Sequence, residues 1–116
     1  MKKAFYLSTC STCKKIMDQI NDLDSFILQD IKTKTITLND VEEMRKRAGS
    51  YESLFSRRAM KFRAWVLHEK ELTENDYKEL ILKEYTFLKR PVFIVGDDIF
   101  IGNSKKTVEA LLSKIN

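Results

Sequence analysis

Ser8-Thr9-Cys10-Ser11-Thr12-Cys13-Lys14-Lys15, STCSTCKK, holds both cysteines of the 116-residue chain in a C-x-x-C. Such a pair can be half of a zinc site, a structural disulfide or a redox-active couple. A structural zinc ion wants four ligands and one C-x-x-C supplies two. The single histidine, His68, has no cysteine or histidine beside it, so no metal site is expected. A disulfide spanning two residues closes a very small loop and does little to constrain the unfolded chain. The redox reading remains, and the surrounding sequence supports it.

Working outward, Lys3–Leu7 is short, apolar and aromatic, and ends at polar Ser8-Thr9, so it reads as a strand running into a loop. From Cys13 the apolar positions Cys13, Ile16, Met17 and Ile20 repeat as one helix face. Ser25–Ile31 reads as a second strand, with Phe26, Ile27 and Leu28 as a buried run. The order strand, helix, strand is that of a βαβ unit. The motif therefore sits where a strand feeds a helix, the context of a thioredoxin-like pair. Cys10 falls at the helix N-terminus, where unpaired N–H groups and the helix dipole favour an anion. A thiolate is that anion, and Lys14 and Lys15 add positive charge in the first turn. Cys13 falls on the apolar face, either as the less exposed resolving thiol or as a small buried core residue.

The middle of the chain reads as helical. Thr37-Leu38-Asn39-Asp40 has the form of a capping box with Asp in place of Glu, and Leu38, Val41, Met44 and Arg45 follow before Gly49 stops the helix. Ser50 opens a turn or helix with Tyr51, Leu54 and Phe55. A basic stretch, Ser56–Arg63, comes next. Thr73-Glu74-Asn75-Asp76 then caps a helix whose face is Tyr77, Leu80, Ile81 and Glu84 or Tyr85. Val92–Val95, Gly96-Asp97 and Asp98–Ile101 form a β-hairpin with a type II′ turn. Gly102-Asn103-Ser104 leads into a last helix with Val108, Leu111, Leu112 and Ile115 on one face. Pro91 stands just before the first hairpin strand, as an ordinary strand-start residue or in the cis form.

Composition sets the broad class. Hydrophobic residues are 43% and charged residues 33%, the profile of a soluble globular chain with a core of its own. After Met1-Lys2-Lys3 only four apolar residues precede Ser8, too few for a signal peptide, and no apolar run reaches membrane-spanning length. The expectation is a cytoplasmic protein with no membrane partner. Its net charge of +4 is scattered among 17 acidic residues, which does not make the clustered footprint of direct nucleic-acid binding.

Several stretches together resemble the ArsC/Spx/YffB family, a thioredoxin-like group that includes arsenate reductases and the Spx regulators. They are the C-x-x-C after a strand, Leu54-Phe55-Ser56-Arg57-Arg58 with Phe62-Arg63, Lys89-Arg90-Pro91-Val92, and Ile101-Gly102-Asn103. The resemblance implies an α/β thioredoxin-like (glutaredoxin-like) fold over residues 1–116. Its order would be βαβ…ββα, with a mixed four-stranded sheet, parallel in part over the first three strands, and a helical insertion at about 37–88 between strands 2 and 3. It places the nucleophile at Cys10, an arginine at Arg90, the cis-proline position at Pro91, and a middle-segment arginine at Arg58, with Arg57 as a register alternative. The arginines would supply permanent, forked positive charge near Cys10 and hold an oxyanion or the carboxylate of a thiol substrate. For Arg57 and Arg63 the plainer reading is a solvated helix face.

The activity implied is that of a thiol-disulfide oxidoreductase acting on a small thiol or oxyanion substrate. It would bind no cofactor and would draw electrons from glutathione or from thioredoxin or glutaredoxin. Two positions differ from glutaredoxin-linked arsenate reductases: Gly102 stands where they carry a further arginine, and Cys13 where they carry serine. Both are features of Spx-like members, which use the pair as a disulfide switch and bind the RNA polymerase alpha C-terminal domain. The chain closes at Asn116 without the extra C-terminal segment of Spx proteins. A redox-sensing regulator is therefore the alternative function.

Overall fold

A computed structural model describes residues 1–116, and the chain divides into two compact units. One comprises Met1–Thr35 and Arg90–Asn116, the other Ile36–Lys89. No helix is long and apolar enough to cross a membrane.

The first unit is a four-stranded mixed sheet with two helices. Its strands are β1 (Lys2–Tyr6), β2 (Ile27–Asp30), β3 (Val92–Val95) and β4 (Asp98–Ile101), in the order β2-β1-β3-β4. Only β1 and β2 are parallel; β1–β3 and β3–β4 are antiparallel. The partial parallel pairing expected over three strands is thus confined to one pair. Helix α1 (Ser11–Met17) connects the parallel strands, as a crossover must. Gly96 opens the hairpin turn at φ 62° while Asp97 stays at negative φ, the combination of a type II′ turn. Helix α5 (Lys105–Ile115) closes the unit; Ser104 caps it by accepting the Thr107 N–H at 3.2 Å.

Ala4, Phe93, Ile16, Met17, Ile20, Phe26 and Leu111 form the core on one face of this sheet, with Val108, Leu112 and Ile115 packed against it. Phe26 meets Phe93 edge-on at 5.9 Å between ring centroids. The Asn116 side chain accepts the Asn21 N–H at 3.1 Å and donates to the Gln19 carbonyl at 2.9 Å, tying the end of α5 to the segment after α1. One expectation fails here. Of the run Phe26-Ile27-Leu28 only Phe26 is buried, because β2 is an edge strand and Ile27 and Leu28 face solvent.

The second unit contains α2 (Leu38–Ala48), α3 (Met60–Ala64) and α4 (Glu74–Lys83), joined by short 3-10 turns. Both capping boxes form: Thr37 with Asp40 at 3.0 and 3.1 Å, and Thr73 with Asp76 at 2.8 and 3.2 Å. Gly49 ends α2 at φ 92°, a left-handed conformation that costs glycine no steric penalty. Leu38, assigned to the apolar face of α2, is exposed because it is the first helical residue. Phe55 centres the core, stacked on Phe87 at 5.1 Å and tilted against Tyr77 at 4.9 Å. An isolated bridge pairs Phe55 with Leu88.

Candidate active site

The site grows from the end of β1. Its register places Tyr6 beside Asp30 of β2 and Phe5 beside Val92 of β3. Arg90 and Pro91 immediately precede Val92, the partner of Phe5, so they lie at the end of the sheet where β1 runs out toward Cys10. The Arg90–Pro91 peptide bond is cis. Beyond Leu7 the chain turns at once, with the Cys10 N–H donating to the Leu7 carbonyl at 2.9 Å. Cys10 is the N-cap of α1 at φ −94°, ψ 110°, and its carbonyl accepts the Lys14 N–H at 3.2 Å.

This geometry separates the two thiols, which are not joined in a disulfide. Cys10 is half-buried and Cys13, inside α1, is fully buried. Partial burial pushes the Cys10 thiol up. The Cys13 N–H and thiol, the Thr12 N–H and the Arg90 guanidinium act the other way and prevail, so Cys10 ionises below its ordinary value. Burial dominates at Cys13. With the hydrogen bond to Cys10 and the nearby Cys10 charge it pushes that thiol up to about 11, against a backbone contact at Leu7 and the charge of Arg90. The two sulfurs are therefore displaced in opposite directions, Cys10 toward easier ionisation and Cys13 away from it.

Cys10, Cys13, Arg90 and Pro91 thus all belong to the first unit, and the charge of Arg90 acts on both sulfurs. Arg58 lies in the second unit and is exposed. Its neighbour Arg57 is held by Glu52 at 2.7 Å and donates to the Tyr77 hydroxyl at 2.8 Å, a structural role within that unit. Arg63 is exposed on α3, as a solvated face requires. No group of three or more histidine, cysteine, aspartate or glutamate side chains is gathered to hold a metal ion.

Asp30 is a residue that the sequence alone did not single out. Its carboxylate accepts the Ser8 N–H at 3.4 Å and the Lys32 N–H at 3.2 Å. Ser8, chiefly through its side chain, and the Lys32 N–H hold that carboxyl below its ordinary value. Asp30 therefore props the turn that carries Cys10. The available signal was its position as the last residue of the strand parallel to β1.

Residues 5–111 match the sequence pattern of the ArsC family. The chain belongs to the ArsC family. Among solved structures, this ArsC-family chain is similar to one titled "YFFB (PA3664) protein", at 21% identity over 100% of both chains with a TM-score of 0.81. A structure titled as a possible arsenate reductase from Streptococcus mutans UA159 is 21% identical, over 96% of this chain and 97% of its own, with a TM-score of 0.75. SACOL0876 from Staphylococcus aureus COL is 27% identical over 95% and 97%, with a TM-score of 0.74. No match was found among curated proteins. The thioredoxin-like α/β fold is shared with these ArsC-type structures.

Proposed function

We infer that the chain is a cytoplasmic thiol-disulfide oxidoreductase with Cys10 as nucleophile and Cys13 as resolving thiol. The observation that carries this reading is the placement of the two free thiols, Cys10 half-buried at the N-cap of α1 and Cys13 fully buried inside that helix, with the Arg90 charge acting on both. Membership of the ArsC family supports it. With a disulfide substrate, the Cys10 thiolate attacks one sulfur and the other leaves as a thiolate that takes up a proton. Cys13 then loses its proton and attacks the Cys10 sulfur, releasing the second thiol and leaving a Cys10–Cys13 disulfide. The substrate has gained two electrons, and thioredoxin or glutathione returns them to the pair by thiol exchange.

With an oxyanion such as arsenate, the Cys10 sulfur bonds the central atom as water departs. Attack by Cys13 on that sulfur breaks the new bond and leaves the central atom two electrons richer. Arg90 neutralises the oxyanion or a substrate carboxylate. Cys10→Ser is expected to abolish turnover of a low-molecular-weight disulfide or arsenate with either donor. Cys13→Ser is expected to accumulate a mixed adduct on Cys10, read as a mass increment. Turnover surviving Cys10→Ser removes the reading.

The second cysteine and Gly102 favour one other reading, a redox switch that binds the RNA polymerase alpha C-terminal domain. A chain that turns over no substrate with any thiol donor, yet binds that domain in one oxidation state of the pair, is the switch.

A further inference from the structure

The parallel ladder between β1 and β2 ends at the pair Tyr6 and Asp30, and the Ile31 N–H closes it on the Tyr6 carbonyl at 2.9 Å. Past that pair the β2 backbone turns away, its Asp30 carbonyl accepting the Thr33 N–H at 3.2 Å and the Lys34 N–H at 2.8 Å. The Asp30 side chain instead follows β1 outward. Its carboxylate accepts the Ser8 N–H at 3.4 Å, with the Ser8 hydroxyl as a second donor. The same carboxylate oxygen takes the Lys32 N–H at 3.2 Å, which fixes it from the side of its own strand.

Leu7 is thereby bracketed by two bonds to the end of β2, one at Tyr6 and one at Ser8. Both thiols depend on its peptide groups: the Leu7 carbonyl accepts the Cys10 N–H at 2.9 Å, and the Leu7 N–H is directed at the Cys13 sulfur. Helix α1 has seven residues, too few to be stable alone, so the chain before it sets where its N-cap lies. The Thr12 and Cys13 N–H groups that favour the Cys10 thiolate act at hydrogen-bond range, and a shift of this turn weakens them. Arg90 supplies the charge that acts on Cys10, so the influence of Asp30 runs through the turn.

We propose that Asp30 is a positioning residue for the Cys10 nucleophile, its carboxylate clamping Ser8 and so fixing the turn from which Cys10 reacts. The proposal rests on the reading of Cys10 as nucleophile and adds to it a residue that touches no substrate. What the clamp needs at position 30 is an acceptor oxygen, with or without its charge.

Alkylation of Cys10 by iodoacetamide across a pH series, on the full chain, tests this, with urea denaturation alongside. Asp30→Ala should slow the reaction several-fold at neutral pH and move its midpoint up toward the free-cysteine value of about 8.5. At alkaline pH, where Cys10 is ionised in both proteins, the rate should return to that of wild type. Asp30→Asn keeps an acceptor oxygen and should stay within about twofold of wild type. Ser8→Ala should act in the same direction as Asp30→Ala and add nothing to it, since residues sharing one contact are not additive. A lowered urea midpoint with an unchanged Cys10 profile makes Asp30 purely structural and overturns the proposal. So does Asp30→Asn as slow as Asp30→Ala, or a Ser8→Ala effect that adds in full. A wild-type Cys10 that titrates at or above the free value is a different failure, since it removes the nucleophile reading and the proposal with it.

Discussion

The Cys13 thiol, fully buried in α1, donates a hydrogen bond to the sulfur of Cys10 at the helix N-cap. The bond stabilises the Cys10 thiolate and, for the same reason, makes the Cys13 proton harder to remove. Replacing Cys13 by alanine takes away the donor and should raise the Cys10 pKa, slowing its alkylation by iodoacetamide at neutral pH. Cys13→Ser retains an O–H donor and should leave alkylation closer to wild type. Time-resolved mass spectrometry of the labelled chain reads both outcomes.

Arg90 is the charged side chain whose field lowers both sulfurs. Arg90→Met keeps much of the apolar stem and removes the charge. Both thiol pKa values should rise, and Cys10 alkylation at neutral pH should slow several-fold, since a tenfold change in thiolate population corresponds to one pKa unit. Added salt should slow the wild type in the same direction and leave Arg90→Met less affected, because screening acts on a charge the variant lacks.

Stability at alkaline pH follows from Cys13. Its folded value of about 11 lies above the unfolded one, so the folded chain holds this proton more tightly. That contribution is complete below the ordinary thiol range, near 8.5, and is lost as pH rises through about 11. Cys10 is displaced in the opposite direction, so its own contribution is already complete above its unfolded value. The urea midpoint of wild type should therefore approach that of Cys13→Ala between those two pH values. A gap that is constant across the window speaks against a buried, proton-retaining Cys13.

Asp30 supports the turn through the Ser8 and Lys32 N–H groups, at 3.4 and 3.2 Å. Asp30→Ala removes these acceptors and should cost about 1 kcal/mol of stability, typical for exposed hydrogen bonds. Asp30→Asn retains an acceptor oxygen and should recover part of it. The Asp30 carboxyl is held below its ordinary value, so its contribution is present above about pH 4 and fades as pH falls through the folded value. Denaturation of the three proteins at acid and neutral pH checks both points.

Much of this was legible in the chain itself. The hairpin is written as two apolar runs around Gly96, α2 and α4 announce themselves by their Thr…Asp boxes, and α5 by Val108, Leu111, Leu112 and Ile115 on one face. Helix α3 was not legible: it has five residues, its N-cap Ala59 makes no side-chain bond, and Lys61 and Arg63 mask any apolar face. Val66, just after it, adopts φ 59°, which a β-branched residue disfavours and a local pattern does not foretell. An apolar run such as Phe26-Ile27-Leu28 signals a buried strand, but whether a strand lies inside the sheet or at its edge depends on long-range pairing. The Asp30–Ser8 contact was hidden for the same reason, since it exists only because β1 and β2 run parallel in register. The Cys10–Cys13 spacing was local and could be read directly.

The central claim is that the two thiols titrate apart, with Cys10 as the reactive one. The most direct test is site-resolved alkylation across a pH series, following each cysteine by mass. Cys10 should titrate below the free-cysteine value of about 8.5 and Cys13 at about 11. Cys10 titrating at or above the free value, or both cysteines titrating together, would contradict the account.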